Sequence, residues 1–302
     1  MEDDKRCTKF PQSSDLSSAF PESSIQTPSL NDTRRLQKRV KPPRLPVTVK
    51  RTADDSPEKS KRRSNFTREC SPWDKYQSLQ QACTKGKTCL AYEKASPSTI
   101  VAIKECSEDR STLSHLFKTS HTNLVNLLSL FVDAESVWLV YEKMDVTLDQ
   151  LLSTVKLKEP QIAFLCKEIL QGLAYIHEEL HVHHGDVKPP NIFLTLNGQV
   201  KIGNIAVSLL QQVPEDNSED VKSVGRVIKE ILEPGDSKKN PSSVVLRNTD
   251  NGGDNIRAFM SATQTSSLRN LLNHNFLLLS GSPGCLAPLV FITRKSTRHS
   301  YE

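Results

Sequence analysis

One short polar segment constrains the fold of this chain more than any other part of its sequence. Residues 184–191 read HGDVKPPN and place Asp186, Lys188 and Asn191 at the spacing D-x-K-x-x-N. Residues 160–177 precede the segment and carry apolar side chains three and four positions apart behind a proline, which predicts a helix. A carboxylate, a cation and an amide are therefore expected at the end of a buried helix.

Short apolar runs on both sides of this segment indicate strands. Residues 99–104 (TIVAIK) and 137–141 (VWLVY) are rich in β-branched or aromatic side chains, as strands require. Residues 191–196 and 199–205 alternate around Asn197-Gly198, which predicts a hairpin with a type I′ turn. The order of strands, helix, hairpin and further helices predicts an α+β domain with two lobes and a cleft.

The three polar residues match the needs of phosphoryl transfer. Such a site requires a carboxylate to orient the attacking hydroxyl, a cation against the moving phosphate, and an oxygen ligand for the metal. Asp186, Lys188 and Asn191 supply these groups in that order. Taken singly, each has an ordinary explanation, since aspartate is common in turns.

With this segment the chain resembles the eukaryotic protein kinase family, whose catalytic loop reads H-R-D-x-K-x-x-N and precedes a hairpin that ends in D-F-G. Further segments resemble family landmarks in the same order along the chain. They are residues 102–104 (AIK), 121–128 (HTNLVNLL), 220–225 (DVKSVG) and 271–277 (LLNHNFL). The resemblance implies a two-lobed protein-kinase-like fold, with Tyr141 in the gatekeeper position.

The resemblance also implies the site residues. The catalytic positions are Asp186, Lys188 and Asn191, the ATP-binding positions are Gly86, Ala102, Lys104, Glu142 and Met144, and the metal positions are Asn191 and a degenerate Asn204. Lys104 would pair with the α and β phosphates, and the backbone around Glu142 and Met144 would meet the adenine edge.

Several of these positions depart from the family pattern. The D-F-G position reads Asn204-Ile205-Ala206, and a neutral amide holds Mg²⁺ more weakly than a carboxylate does. The nucleotide loop, residues 83–90, keeps Gly86 alone. Thr112 stands where the family has the glutamate that pairs with the strand lysine, and only a shifted alignment would use Glu108 or Asp109 instead. Gly185 replaces the loop arginine. Weak or absent Mg²⁺ binding is expected, whereas some ATP binding could persist.

The carboxyl-terminal half is expected to be reduced. Residues 206–220 are short and lack an A-P-E-like triplet, so the platform for a peptide substrate is predicted to be missing. Residues 235–265 are polar and are predicted to be a loop. The predicted organisation is a small lobe at 72–144, a shortened large lobe at 145–279 and a tail at 280–302, which could be a terminal strand.

Residues 1–71 are rich in Ser, Pro and charged side chains and are predicted to be a disordered tail. From residue 32 to residue 63, twelve Lys or Arg face four Asp or Glu, a net charge of +8. Lys50-Arg51 and residues 61–63 resemble a bipartite nuclear import signal, with a solvated basic linker as the alternative. No secretory signal or membrane span is expected, which predicts a nuclear or cytoplasmic location and an import carrier as one partner.

Three functions remain open at this point. The first is a pseudokinase that acts as a nucleotide-binding, scaffold or regulatory module. The second is a divergent active serine/threonine kinase that transfers the ATP γ-phosphate to protein hydroxyls. The third is a nucleic-acid-associated protein led by its basic tail, which the lack of aromatic residues for base stacking disfavours. The sequence names no protein substrate or partner.

Overall fold

The computed structural model describes residues 66–79, 88–106, 110–134, 136–211, 217–235, 244–246 and 253–299. All of them belong to the second of two compact units, residues 54–302. Residues 1–65 of the predicted disordered tail, with the basic clusters and the import signal, lie outside the described residues, as does Gly86, so those predictions remain predictions. The rest of the kinase-like fold can be compared with the structure directly.

The small lobe is a six-stranded sheet in the order β1-β5-β6-β4-β3-β2. Its strands are β1 Thr67–Arg68, β2 Tyr76–Ser78, β3 Thr88–Glu93, β4 Ser96–Cys106, β5 Leu127–Val132 and β6 Val137–Glu142, and the short helix α1 is Pro72–Lys75. Only β1 and β5 are parallel among these neighbours; the other pairs are antiparallel. The two strands predicted from β-branched and aromatic runs are confirmed as β4 and β6.

The sheet begins earlier in the chain than the predicted boundary at residue 72. Phe66 is buried in the main core, and β1 pairs with β5. Residues 66–71 therefore belong to the folded domain and not to the tail, because one aromatic side chain and two strand residues find partners on the sheet edge.

The described residues between β4 and β5 contain little helix. Within its described residues, the one helical element is the 3-10 helix Arg110–His115, which has no fully buried side chain. Thr112 lies on this helix, and the helix sequence contains no acidic residue. The position where the family carries its regulatory helix is thus occupied by two turns of 3-10 helix.

The large lobe is mainly helical and also contains a small three-stranded sheet. Its elements are β7 Val146–Thr147, α2 Leu148–Thr154, α3 Glu159–Glu178, β8 Ile192–Leu194, β9 Val200–Ile202, α4 Ile205–Gln211, α5 Ser218–Leu232, α6 Asp254–Thr265, α7 Leu268–Leu272 and α8 Ala287–His299, with 3-10 helices Pro189–Asn191, Asn275–Leu279 and Pro283–Cys285. The predicted helix at 160–177 is confirmed as α3, whose apolar stripe, including Ile162, Leu165, Ile169, Leu173 and Ile176, is fully buried. It is the centre of the core on which the site rests.

The hairpin exists, but its predicted turn type is wrong. A type I′ turn needs positive φ at both central residues, and among the described non-glycine residues only His181 and Asn204 have positive φ. Gly198 has φ +80° and donates its N–H to Thr195 O at 2.8 Å. The left-handed residue therefore follows the turn, as in a longer loop that ends in a glycine bulge.

Two further predictions for the large lobe were wrong. The predicted loop at 235–265 contains α6, whose Ile256, Phe259 and Met260 are buried. In residues 280–299, the described part of the tail, α8 stands in place of the strand that the sequence allowed, with Val290 buried in the core. Within the described residues, no single helix is long and apolar enough to cross a membrane; by length and composition only, Leu268–Leu279 and Pro283–Thr297 pass together as a pair bent by 59°.

Candidate active site

A buried carboxylate on α5 holds the loop that carries the catalytic candidates. Asp220 Oδ2 accepts the N–H of His184 at 2.6 Å, and Oδ1 accepts the N–H of Gly185 at 2.8 Å. His177 Nε2, at the end of α3, lies 2.8 Å from Asp220 Oδ2. The side chain of Asp220 is 1% exposed, so one charge anchors two successive loop amides and a helix terminus.

The two central groups of this network have shifted pKa values. Burial raises the pKa of Asp220, but the hydrogen bonds from His177 and from the N–H groups of His184 and Gly185 outweigh it and hold the pKa below its usual value. Burial lowers the pKa of His184. Its Nδ1 accepts the N–H of Asp186 at 3.2 Å while Nε2 lies 2.6 Å from Gly203 O, which fixes a neutral imidazole with the proton on Nε2.

The three predicted catalytic residues come together at the end of this loop. Lys188 Nζ lies 2.8 Å from Asp186 Oδ1, and both side chains are about half exposed. Asn191 Nδ2 donates to Asp186 Oδ2 at 2.7 Å and to Asp186 O at 2.9 Å. The carboxylate is therefore oriented by one cation and one amide, and it remains open to solvent for a further contact.

Asn204 lies beside these three residues and donates a hydrogen bond to one of them, Asn191. Its φ is +62°, a left-handed conformation that Asn and Asp adopt more readily than other non-glycine residues. Its Nδ2 donates to Asn191 Oδ1 at 2.7 Å. Because Asn191 Nδ2 already faces Asp186, the orientation of Asn191 is fixed, and Asn204 must present its amide nitrogen rather than its oxygen.

This arrangement does not fit a divalent cation. Mg²⁺ requires anionic or carbonyl oxygens in nearly octahedral geometry. Asn191 Oδ1 already accepts a hydrogen bond, Asn204 directs an NH₂ group at it, and Asp186 is paired with Lys188. Across the described residues, no group of three or more His, Cys, Asp or Glu side chains could hold a metal ion.

The nucleotide-side residues lie on the small-lobe sheet. In β4, Val101 and Ile103 are buried at 2% and 0% exposure, whereas Ala102 and Lys104 alternate with them and share the less buried face. None of the ion pairs between described residues involves Lys104. The lysine thus lies on the less buried face of the sheet, and the described 3-10 helix supplies no glutamate to pair with it.

The connection after β6 carries the adenine-side candidates. Tyr141 is buried, and burial raises its pKa. The side chain of Glu142 is bonded within the protein: its Oε1 accepts Asn126 N–H at 2.7 Å and lies 2.9 Å from Lys201 Nζ. The backbone of Met144 makes no hydrogen bond to another described residue, which leaves its N–H and C=O suited to an adenine edge.

Lys201 is a site-shaping residue that the sequence analysis missed. It lies in β9, is only 6% exposed, and also donates to Leu124 O at 3.2 Å. The run VKI around it reads as an ordinary strand with one outward lysine. The available signal was a single lysine between two apolar residues of a strand. It could have indicated a buried lysine only if Glu142 had been known to be its partner.

A cavity of about 760 Å³ opens beside Asp186. It lies between α2, the loop and α5, and its apolar lining includes Leu152, Val187 and Val227. Residues 212–217 alone separate α4 from α5 in the sequence. The volume is within the range of about 300–1,000 Å³ that is typical of ligand sites.

The two lobes, the loop anchored by Asp220 and the strand lysine define a protein kinase domain. A family model described as the protein kinase domain matches residues 83–237, about half of the chain, and the chain belongs to this family.

Its relatives are serine/threonine-protein kinases. PAK 5 of Rattus norvegicus is 23% identical over 254 residues, covering 68% of this chain and 35% of the relative. CST20 of Candida albicans (strain WO-1) is 30% identical over 149 residues, covering 46% of this chain and 12% of the relative. PakA of Dictyostelium discoideum is 36% identical over 107 residues, covering 33% and 9%. The match to PAK 5 spans about a third of that relative's length, and the other two spans are shorter, so the chain is a serine/threonine-kinase-like protein that corresponds to part of each.

Proposed function

We propose that this chain is a pseudokinase: a kinase-like module that binds an adenine nucleotide without Mg²⁺ and serves as a scaffold or regulatory partner for another protein. The observation that carries the proposal is the hydrogen bond from Asn204 Nδ2 to Asn191 Oδ1 at 2.7 Å. It places a donor on the oxygen that a metal would need.

The electrostatic reason is the charge of the triphosphate. Phosphoryl transfer depends on divalent ions that bridge the phosphate oxygens and neutralise the charge that develops. A carboxylate at position 204 would offer two anionic oxygens, whereas the amide offers one neutral oxygen, and here that oxygen faces away from Asn191. Loss of this ligand is therefore expected to impair metal-assisted phosphoryl transfer more strongly than nucleotide binding.

Nucleotide binding has support that does not involve a metal. Lys104 lies on the less buried sheet face and forms no ion pair with a described residue, which supports a role in binding phosphates. The backbone of Met144 suits an adenine edge. When bound, the nucleotide would carry a transferable phosphate, but no metal would be present to neutralise the charge that develops on it.

Restoring the carboxylate tests the proposal. Asn204→Asp introduces no new backbone strain, because Asp tolerates the left-handed conformation that Asn204 already has. The aspartate can no longer donate to Asn191 Oδ1, so both oxygens become available to a metal. We expect Mg²⁺ to raise the thermal midpoint of the ATP-loaded variant, and to leave that of the ATP-loaded native chain unchanged.

The matched control is Asn197→Asp, which makes the same chemical change at an exposed residue of the hairpin turn. It should respond to Mg²⁺ and ATP as the native chain does. If the native chain itself showed a large Mg²⁺-dependent shift with ATP, the metal-free reading of the site would be wrong.

The second candidate function is that of a divergent active kinase. It is favoured by one observation, the intact contact of Asp186 with Lys188 and Asn191. Phosphate transfer by the purified native chain, abolished by Asp186→Ala and by Lys104→Ala, would establish this alternative and refute the pseudokinase.

A further inference from the structure

The segment after residue 279 is built into the large lobe along a continuous path. Gly281 N–H donates to Pro160 O at 3.3 Å, and Gln161 Nε2 donates to Cys285 O at 3.2 Å, so the segment starts against the first turn of α3. Helix α8 then buries Val290 and Thr293 completely. The segment is therefore a packed element with a defined register.

The hairpin turn between β8 and β9 touches this segment closely. A Cβ added to Gly198 would lie 2.1 Å from Pro283 O and 2.9 Å from Ala287 N. Only a glycine permits this approach, because the backbone of the segment occupies the space of a side chain. The start of α8 is thereby fixed against the hairpin.

Asp145 joins α8 to the connection between the lobes. Arg294 Nη1 of α8 lies 3.1 Å from Asp145 Oδ1, and Lys143 pairs with the same oxygen. Asp145 Oδ2 accepts the N–H of Leu196, in the hairpin, at 2.8 Å, and Asp145 N–H donates to Leu194 O. With its side chain 9% exposed, this carboxylate ties together the connection, the hairpin and α8.

The connection from Glu142 to Asp145 is thus held at both ends by cations of the large lobe. Lys201 holds Glu142 at its start, and Arg294 holds Asp145 at its end. Lys201 is 6% exposed and belongs to the core, whereas Arg294 is part of a helix near the chain end and its side chain is 31% exposed. Each ion pair has one partly exposed partner: the side chain of Glu142 is 28% exposed in the first and that of Arg294 is 31% exposed in the second. They differ in that the cation of the second pair belongs to α8.

We propose that α8 is a latch on the connection between the lobes and that Arg294 is its positioning residue. With Arg294 on Asp145, residues 143–145 are held against the hairpin, and the backbone of Met144 is fixed. Release of Arg294 leaves the nearly buried Asp145 carboxylate with Lys143 and the N–H of Leu196, without the cation from α8. This loosens the connection without unfolding either lobe. The C-terminal segment thereby regulates how rigidly the lobes are joined, whether or not a nucleotide binds.

Hydrogen exchange on the full chain tests the latch without any ligand. In Arg294→Ala, we expect amides of residues 143–147 and 194–196 to exchange roughly threefold faster, the scale of a partly exposed ion pair, while β3 and β4 keep their native rates. Arg294→Lys should restore the native rates, because the arginine makes a single contact to Asp145 that an ammonium can replace.

The matched control is Lys295→Ala, which removes the adjacent cation, exposed and directed at Phe291, from the same helix. It should leave the exchange of residues 143–147 unchanged. Native rates in Arg294→Ala, an equal acceleration in Lys295→Ala, or an acceleration spread evenly over the domain would each overturn the proposal. Because no nucleotide is present, failure here is distinct from failure of the proposed function.

Discussion

Asp220 is the residue whose loss should damage the site most, and its effect can be worked out from its contacts. Its carboxylate accepts two backbone N–H groups and a histidine contact, all at 2.6–2.8 Å, with the side chain 1% exposed. Hydrogen bonds to a charged group contribute about 1.5–3 kcal/mol each, and they are not additive. Breaking a buried charged network typically costs about 3–5 kcal/mol.

We therefore expect Asp220→Ala to lower the free energy of unfolding by about 3–5 kcal/mol. Domains of this kind are stable by about 5–15 kcal/mol, so Asp220→Asn is the more practical variant. It keeps the shape but directs an NH₂ group at one of the donors, and we expect a loss of about 1–3 kcal/mol. The assay is urea unfolding at neutral pH, read as a lower midpoint with an unchanged slope.

The pH dependence gives this prediction its sign. The pKa of Asp220 in the folded chain lies below the unfolded value of 3.8, so its contribution is present above that pH and is lost as the pH falls through the lower, folded pKa. The difference between the native chain and Asp220→Asn should shrink in that acidic window. Asp254→Asn is the control, because the Asp254 side chain is 98% exposed and should contribute little. A loss below about 0.5 kcal/mol for Asp220→Asn at neutral pH would refute the reasoning.

Three further predictions concern stability. Gly198→Ala should lower the free energy of unfolding by about 2–4 kcal/mol, because φ is +80° and the new Cβ would meet Pro283 O, and a neutral effect in thermal unfolding would contradict the close approach. Glu142→Gln should lower the free energy of unfolding in urea by about 2–4 kcal/mol, because it leaves the buried Lys201 charge without its partner. Lys201→Met removes that charge and should lower it by less than half as much; equal losses would contradict this explanation. Burial lowers the pKa of His184, so as the pH drops below about 6.5 the unfolded chain takes up a proton at this residue before the folded chain does, and the free energy of unfolding should decline. His184→Gln should reduce the slope of that decline, and an unchanged slope would exclude His184 as its cause.

The sequence identified elements that depend on local pattern. The spacing of Asp186, Lys188 and Asn191 and the apolar stripe of α3 are local, and both fold as predicted. The loss of charge at Asn204 could also be read from the sequence. Its hydrogen bond to Asn191 could not, because the orientation of each amide depends on a third residue, Asp186.

What the sequence missed depends on contacts between distant residues. Arg294 meets Asp145 across 149 positions, and Lys201 meets Glu142 across 59. Neither pair has a local signature, since each cation looks like an ordinary surface residue of its helix or strand. Helix α8 was missed for the same reason, because its apolar residues are buried through contacts with α2 and the hairpin, which are distant in the sequence.

The most direct measurement of the central claim is the affinity of the purified native chain for ATP, determined by titration calorimetry with excess Mg²⁺ and with a chelator. The structure predicts the same dissociation constant within about twofold under both conditions, since no anionic oxygen is presented at position 204. An affinity about tenfold higher with Mg²⁺, a gain of about 1.4 kcal/mol, would contradict it.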